Sequence, residues 1–190
     1  MSKDLTHGSY LINGKKIAVV GNCEKIVERK DGQWIDKHDI IIRFNFQFPL
    51  PELSESLGNR TDIMICAMSC LKRKYKNEQL WNSICQQNYN THIIGSRRSK
   101  HLEYHLPTNA FNACKKLLGY KQPTTGAITV HSLMTLFTPT SSTVFGFDGL
   151  KSRTWPVTPG GKQNSRYHRP KREQDWLESI RDKITVVEYE

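Results

Sequence analysis

Residues 16–45, KIAVVGNCEKIVERKDGQWIDKHDIIIRFN, hold two short apolar runs that each stop abruptly at a polar position. Lys16–Val20 runs into Gly21-Asn22, and Ile40–Arg43 runs into Phe44-Asn45. Runs without polar alternation suit strands covered on both faces, the habit of parallel sheets. Parallel strands need a crossover, and residues 22–29 predict a helix that starts at the turn and breaks at Asp31-Gly32. In open α/β sheets, ligands bind beyond the carboxyl ends of the strands, where helix N-termini expose free N–H groups. Asn22 and Asn45 both fall there.

The remaining residues continue the alternation. Residues 1–14 read as a lead-in, with a short hairpin arm at Tyr10-Leu11-Ile12 before Asn13-Gly14. Trp34–Asp39 is a connection, and Pro49 and Pro51 mark a loop. A turn at Gly58-Asn59-Arg60-Thr61 enters a third strand, Asp62–Ala67. A charged helix over 71–88 leads to a strand at Thr91–Gly95. Pro107-Thr108-Asn109 caps a helix over 110–118, and Pro123-Thr124-Thr125-Gly126 opens another, Ala127–Phe137. A strand at Ser142–Phe147 is followed by a Gly-, Pro-, Ser- and Thr-rich loop over 149–165, expected to be mobile. An amphipathic helix, Arg169–Lys183, and a last strand, Ile184–Val187, close the chain. This order predicts an α/β fold: a single Rossmann-like domain over 1–190, its mostly parallel twisted sheet covered by helices on both faces.

Composition narrows the partners. A net charge of +10 fits nucleic acid, phosphorylated ligands, anionic glycans or a membrane surface, without choosing among them. No apolar run approaches the ~18 residues that span a bilayer, and the first residues lack the apolar core of a secretory signal. The expected location is therefore the cytoplasm, with peripheral membrane association compatible with the charge. Five cysteines, at 23, 66, 70, 85 and 114, are an odd number without paired zinc-like spacing, which predicts free thiols in a reducing compartment.

Four constellations carry polar chemistry. Gly21 permits a sharp turn and Asn22 offers a donor and an acceptor; a plain β–α turn with Asn22 as helix cap fits equally. Asn45 ends its strand, which suits a ligand or simple strand termination. Thr124, Thr125 and Gly126 precede a helix, an arrangement for phosphate or ribose as well as an ordinary cap. His168 stands before a proline suited to a first helical turn. It is a candidate general base because imidazole titrates near neutral pH, and Glu173 on the following helix is placed to orient it or to bind an acceptor. Arg60 reads as a structural turn residue paired to a local carboxylate, and Asp148 as a strand-end cap. The dinucleotide and phosphate-loop glycine patterns, the H-E-x-x-H and D-x-D metal motifs and the G-x-S-x-G elbow are all absent, and the one H-x-x-x-H spacing, His101 and His105, lies outside any helical pattern. No metal or other cofactor is expected.

The order of these motifs is specific. VVGN, then ID-x-HD-x-x-x-RFN, then GNRTD resembles the large sialyl motif of glycosyltransferase family 29, the eukaryotic-type sialyltransferases. PTTG followed by an apolar helix and VFGFDG resembles their small motif, and H-x4-E at His168 and Glu173 their very small motif. Together they cover roughly residues 15–177. The resemblance implies the GT-A-like variant fold of sialyltransferases, a CMP-sugar donor, a glycan or glycolipid acceptor, inversion at the anomeric carbon and no metal. It places Gly21, Asn22 and Asn45 on the cytidine monophosphate, Thr124, Thr125 and Gly126 on its ribose, phosphate or base, and His168 as the base that deprotonates the acceptor hydroxyl.

The chain also departs from the pattern. The family joins its large and small motifs by a disulfide, yet Lys15-Lys16 stands where the first cysteine is expected and Pro123–Gly149 contains none. This fits a shortened bacterial or viral protein made in a reducing cytosol. The family's aromatic His motif is missing, which leaves Tyr167, Arg166 and Arg169 as candidates to stabilise the departing phosphate. Two alternatives remain: a transferase of another CMP-activated sugar such as Kdo, and a non-catalytic nucleotide or nucleic-acid binder, against which the lack of interleaved aromatics and zinc-finger spacing speaks.

Overall fold

The computed structural model describes residues 2–149, 151 and 168–189. The strands are β1 (Lys3–Asp4), β2 (Lys16–Val20), β3 (Ile40–Phe44), β4 (Ile63–Cys66), β5 (His92–Gly95), β6 (Tyr104–His105), β7 (Ser141–Phe145) and β8 (Thr185–Val186). The helices are α1 (Gly32–Asp36), α2 (Ser54–Leu57), α3 (Met68–Tyr75), α4 (Glu78–Gln87), α5 (Thr108–Leu118), α6 (Thr125–Leu136) and α7 (Pro170–Ser179). The strands form one sheet in the order β1-β6-β5-β4-β3-β2-β7-β8, and every neighbouring pair is parallel.

The apolar runs are unbroken because both faces of the sheet are covered. Along β2, Ile17 and Val19 join a core with Cys114 of α5, Ile128 and Leu133 of α6 and Leu177 of α7. Ala18 and Val20 turn the other way, onto Ile26, Ile35, Leu57 and Phe145. Side chains alternate between faces at every residue, so each strand feeds two cores. Such a strand lacks the polar alternation that would fix its register. Two aspartates supply it instead. Asp39 Oδ2 accepts from the Lys16 N–H at 2.8 Å while the Asp39 N–H donates to the Lys16 carbonyl. Asp62 repeats this with Ile41, its Oδ2 accepting at 2.8 Å. Each pair ties the amino end of one strand to that of its neighbour.

Other motif residues serve the same scaffold. His38 is buried, with Nε2 3.0 Å from Thr143 Oγ1 on β7. Buried Arg43 donates to the carbonyls of Leu57 and Arg60, and burial pushes its guanidinium down to about 10. Arg60 pairs with Asp62 at 2.9 Å, as expected of a structural turn.

Several expected elements differ. The hairpin arm at Tyr10–Ile12 is instead the end of a 3-10 helix, Leu5–Leu11, whose cap Asp4 accepts from the Thr6 N–H. The helix over 22–29 contracts to a 3-10 turn, Glu24–Glu28, and the N–H of its N-cap Cys23 donates to the carbonyl of Gly146, just past β7. The helix over 71–88 is two helices, divided where Asn77 accepts from the Leu80 N–H and caps α4. The last helix ends at Ser179. Strands β1 and β6 have two residues each, too short to leave a periodic trace. All five cysteines are free, and burial pushes Cys23 and Cys114 up to about 12, which leaves both as unreactive thiols. Among the described residues no helix is long and apolar enough to cross a membrane.

Candidate functional site

The chain runs β2, β3, β4, β5, β6 outward to one side and then returns to place β7 on the other side of β2. That reversal lies between β2 and β7, and the crevice at such a switch point is where open α/β sheets bind ligands. Asn22, Asn45 and Phe147 each lie one or two residues past the carboxyl ends of β2, β3 and β7, which are neighbours in the sheet.

Phe147 joins the two glycine turns. A Cβ on Gly21 would lie 2.6 Å from the Phe147 ring and 2.4 Å from the Gly146 carbonyl, and a Cβ on Gly126 would lie 2.6 Å from the same ring. The ring also meets Phe44 edge-on, with centroids 6.2 Å apart. Gly21 and Gly126 are therefore glycines because a phenylalanine fills the space of their side chains. This contact pulls the N-terminus of α6 against the end of β2.

Asn45 and Phe46 both adopt left-handed backbone conformations, φ 58° and 63°. Asparagine tolerates this, whereas phenylalanine rarely does. The kink is held by three bonds: Asn45 N–H to the Ile65 carbonyl, Ala67 N–H to Asn45 Oδ1 at 2.9 Å, and Phe46 N–H to Met64 Sδ. With one lone pair of Oδ1 taken by the Ala67 N–H, Asn45 offers a ligand chiefly its Nδ2 N–H groups. Asn22 is not the helix cap; Cys23 holds that position, without a side-chain cap bond.

At α6, Thr124 Oγ1 accepts from the Ala127 N–H at 3.1 Å and donates to Glu173 Oε2 at 2.6 Å. The hydroxyl of Thr124 is thus engaged, and a ligand is left the Thr125 hydroxyl and the N–H groups of the first helical turn.

Helix α7 grips the connection between α5 and α6. Glu173, buried, also takes the Thr124 N–H at 2.8 Å and the Tyr120 hydroxyl on Oε1. Burial and the bond to Glu173 push the Tyr120 phenol up, so it stays a proton donor. Arg172 donates to the carbonyls of Leu118 and Gly119 at 3.1 and 3.0 Å. His168 Nδ1 lies 2.9 Å from the Gln122 carbonyl. A carbonyl can only accept, so Nδ1 carries the proton and the lone pair of neutral His168 is on Nε2. Glu173 binds Thr124 and Tyr120, and the partner of His168 is the Gln122 carbonyl.

The exposed Arg169 is the N-cap position of α7, and its carbonyl accepts from the Arg172 and Glu173 N–H groups. Arg166, Tyr167 and most of the 149–165 loop lie outside the described residues. Among the described residues, no three His, Cys, Asp or Glu side chains gather as a metal site. Sequence reasoning missed Phe147, Tyr120 and Gln122. Phe147 lay within VFGFDG and was legible as a strand end only, whereas Tyr120 and Gln122 carry no local signal.

A profile of glycosyltransferase family 29 (sialyltransferase) matches residues 12–140, a span that holds Gly21, Asn22, Asn45 and Thr124–Gly126. The crystal structure of a mammalian sialyltransferase superposes with a TM-score of 0.62 at 18% identity, covering 98% of this chain and 74% of that one. A mammalian sialyltransferase in complex with Gal-beta-1-3GalNAc-ortho-nitrophenol gives 0.65 at 16% identity, with the same coverage. At these identities the likeness is one of fold. No curated protein matches in sequence.

Proposed function

This chain belongs to glycosyltransferase family 29, and from that premise we propose that it transfers sialic acid or a related sugar from a CMP donor to a glycan or glycolipid hydroxyl, with inversion and without a metal. The observation that carries the reading is the bond from His168 Nδ1–H to the Gln122 carbonyl. In neutral imidazole this bond leaves the lone pair on Nε2 at the start of α7, and its acceptor Gln122 is two residues in sequence before Thr124, the N-cap of α6.

In this mechanism the Nδ2 groups of Asn22 and Asn45 hold acceptor atoms of the cytidine monophosphate. The free N–H groups at the start of α6 and the Thr125 hydroxyl face the phosphate. His168 Nε2 takes the proton of the acceptor hydroxyl as its oxygen attacks the anomeric carbon. The bond from that carbon to the phosphate oxygen breaks, and CMP leaves with the electron pair. Preorganised donors meet the charge that grows on the phosphate, and the cation of Arg169 at the head of α7 favours the same species. Arg166 and Tyr167 are further candidates for that task.

The reading is tested by melting in the presence of nucleotides. A ligand at 100 times its Kd stabilises the native state by about 2.7 kcal/mol. At roughly 2–4 °C per kcal/mol for a chain of this size, CMP raises the melting temperature by about 5–10 °C. UMP, AMP and GMP at equal concentration move it by less than about 2 °C. An equal response to UMP or AMP would remove cytidine recognition from the account.

A further inference from the structure

The positive charge of this chain is not evenly spread. Residues 67–101 contain seven Lys and Arg and a single acidic residue, Glu78, and so carry +6 of the chain's net +10. In sequence these cations form two groups, at 72–76 and 97–100, separated by helix α4 and strand β5. The fold reunites them. Tyr75 at the end of α3 meets His101 with ring centroids 4.3 Å apart. Lys72, Arg73, Lys76, Arg97, Arg98 and Lys100 are all exposed on the surface so formed.

This surface follows the carboxyl ends of β4 and β5, on the same edge of the sheet as the candidate crevice. Lys74 Nζ lies 5.9 Å from the centre of the Phe46 ring, next to Asn45. Beside the cations, α4 has no fully buried residue, and Leu80 in its first turn is 40% exposed. Basic side chains flanking an exposed leucine match the headgroup region of a bilayer. A single-stranded nucleic acid would need open aromatic faces on which to stack. Here Tyr75, Trp81 and Phe46 pack edge-on against one another, at 4.5 Å for Tyr75–Trp81 and 6.2 Å for Phe46–Trp81.

We propose that this basic surface of α3 and the β5–β6 connection docks on an anionic lipid bilayer. The proposal rests on the transferase reading in one respect: docking turns the carboxyl edge of the sheet, and with it the crevice, toward acceptor glycans carried on lipid.

The experiment is co-sedimentation with vesicles of phosphatidylcholine alone and of phosphatidylcholine with phosphatidylglycerol, at 0.1 and 0.5 M salt. The wild-type chain partitions onto the anionic vesicles at least about tenfold better than onto the neutral ones, and 0.5 M salt removes the difference. The triple variant Lys72→Glu, Lys76→Glu, Lys100→Glu loses at least about tenfold. A second triple variant, Lys15→Glu, Lys37→Glu, Lys183→Glu, makes the same change in net charge at exposed positions by the amino ends of the strands and stays within about twofold of wild type. Equal losses in the two variants would reduce the effect to net charge and overturn the assignment, as would no loss in either. Binding of a labelled single-stranded RNA, without vesicle binding, would overturn it in favour of a nucleic-acid surface. The melting response to CMP, read on the same samples, separates failure of docking from failure of the donor reading.

Discussion

Replacing His168 by alanine lowers the rate of sugar transfer by about 10²–10⁴-fold, the range a positioned general base contributes, and leaves the melting response to CMP intact. The split follows from the position of the residue. Among the described residues, His168 is tied to the scaffold by one bond, Nδ1–H to the Gln122 carbonyl, and it is half-buried. Removing it opens no core and breaks no strand pairing. What is lost is the Nε2 lone pair that the Gln122 bond keeps available. His168→Gln provides a sharper comparison, because an amide can still donate to the Gln122 carbonyl yet cannot accept a proton in the reaction. It falls with alanine in rate. Transfer within about threefold of wild type in either variant would take the base role away from His168.

Replacing Glu173 by alanine acts on stability first. Its carboxylate accepts from the Thr124 N–H, the Thr124 hydroxyl and the Tyr120 hydroxyl, and it is buried. Bonds to a charged group contribute roughly 1.5–3 kcal/mol each, and buried donors left unpaired carry a desolvation penalty. With Thr124 still able to cap α6, the loss comes to about 3–5 kcal/mol. At roughly 2–4 °C per kcal/mol, the melting temperature falls by about 6–20 °C. Glu173→Gln keeps one acceptor oxygen and the shape of the side chain, so its cost is less than half as large. A Glu173→Ala protein that melts within about 2 °C of wild type would show that α7 does not hold the α6 turn.

These two residues are separated by four others in the sequence but have different tasks. Spacing alone suggested that Glu173 orients His168 or meets an acceptor. Folding instead turns Glu173 onto Thr124 and gives His168 a backbone carbonyl. The reason is that PTTG must be anchored after a long excursion: α5 and α6 are joined by residues 119–124, and α7 packs over that joint. The contact is between segments about fifty residues apart, and no local pattern encodes it.

The sheet was legible where strands are long and apolar. Lys16–Val20 and Ile40–Arg43 stand out because both faces are buried, and the crossover between them follows from their parallel pairing. The two-residue strands at Lys3–Asp4 and Tyr104–His105 were not, because two residues show no period. The carboxyl-end asparagines were placed by the same strand logic. The left-handed pair Asn45-Phe46 was not, since a phenylalanine there runs against local preference and its N–H is held by Met64 of β4, a contact with no local signal.

Likewise, the motif resemblance treated ID-x-HD and GNRTD as one block with the asparagines. In the fold they divide by role. Asp39 and Asp62 tie the amino ends of strands together, and Asn22 and Asn45 stand at the opposite edge. The stapling that a disulfide would provide is replaced here by packing. Five paired residues join β2 to β7, and the Phe147 ring closes on Gly21 and Gly126.

The central claim is that this crevice holds a CMP-activated sugar and releases CMP without a metal. It is tested most directly by measuring CMP release from CMP-sialic acid and from CMP-Kdo, each with a mixture of glycan acceptors, in excess EDTA. The account predicts acceptor-dependent release of CMP from one of the two donors at a rate unchanged by the chelator. A folded protein that releases CMP from neither donor, or whose release stops when EDTA is added, would contradict it.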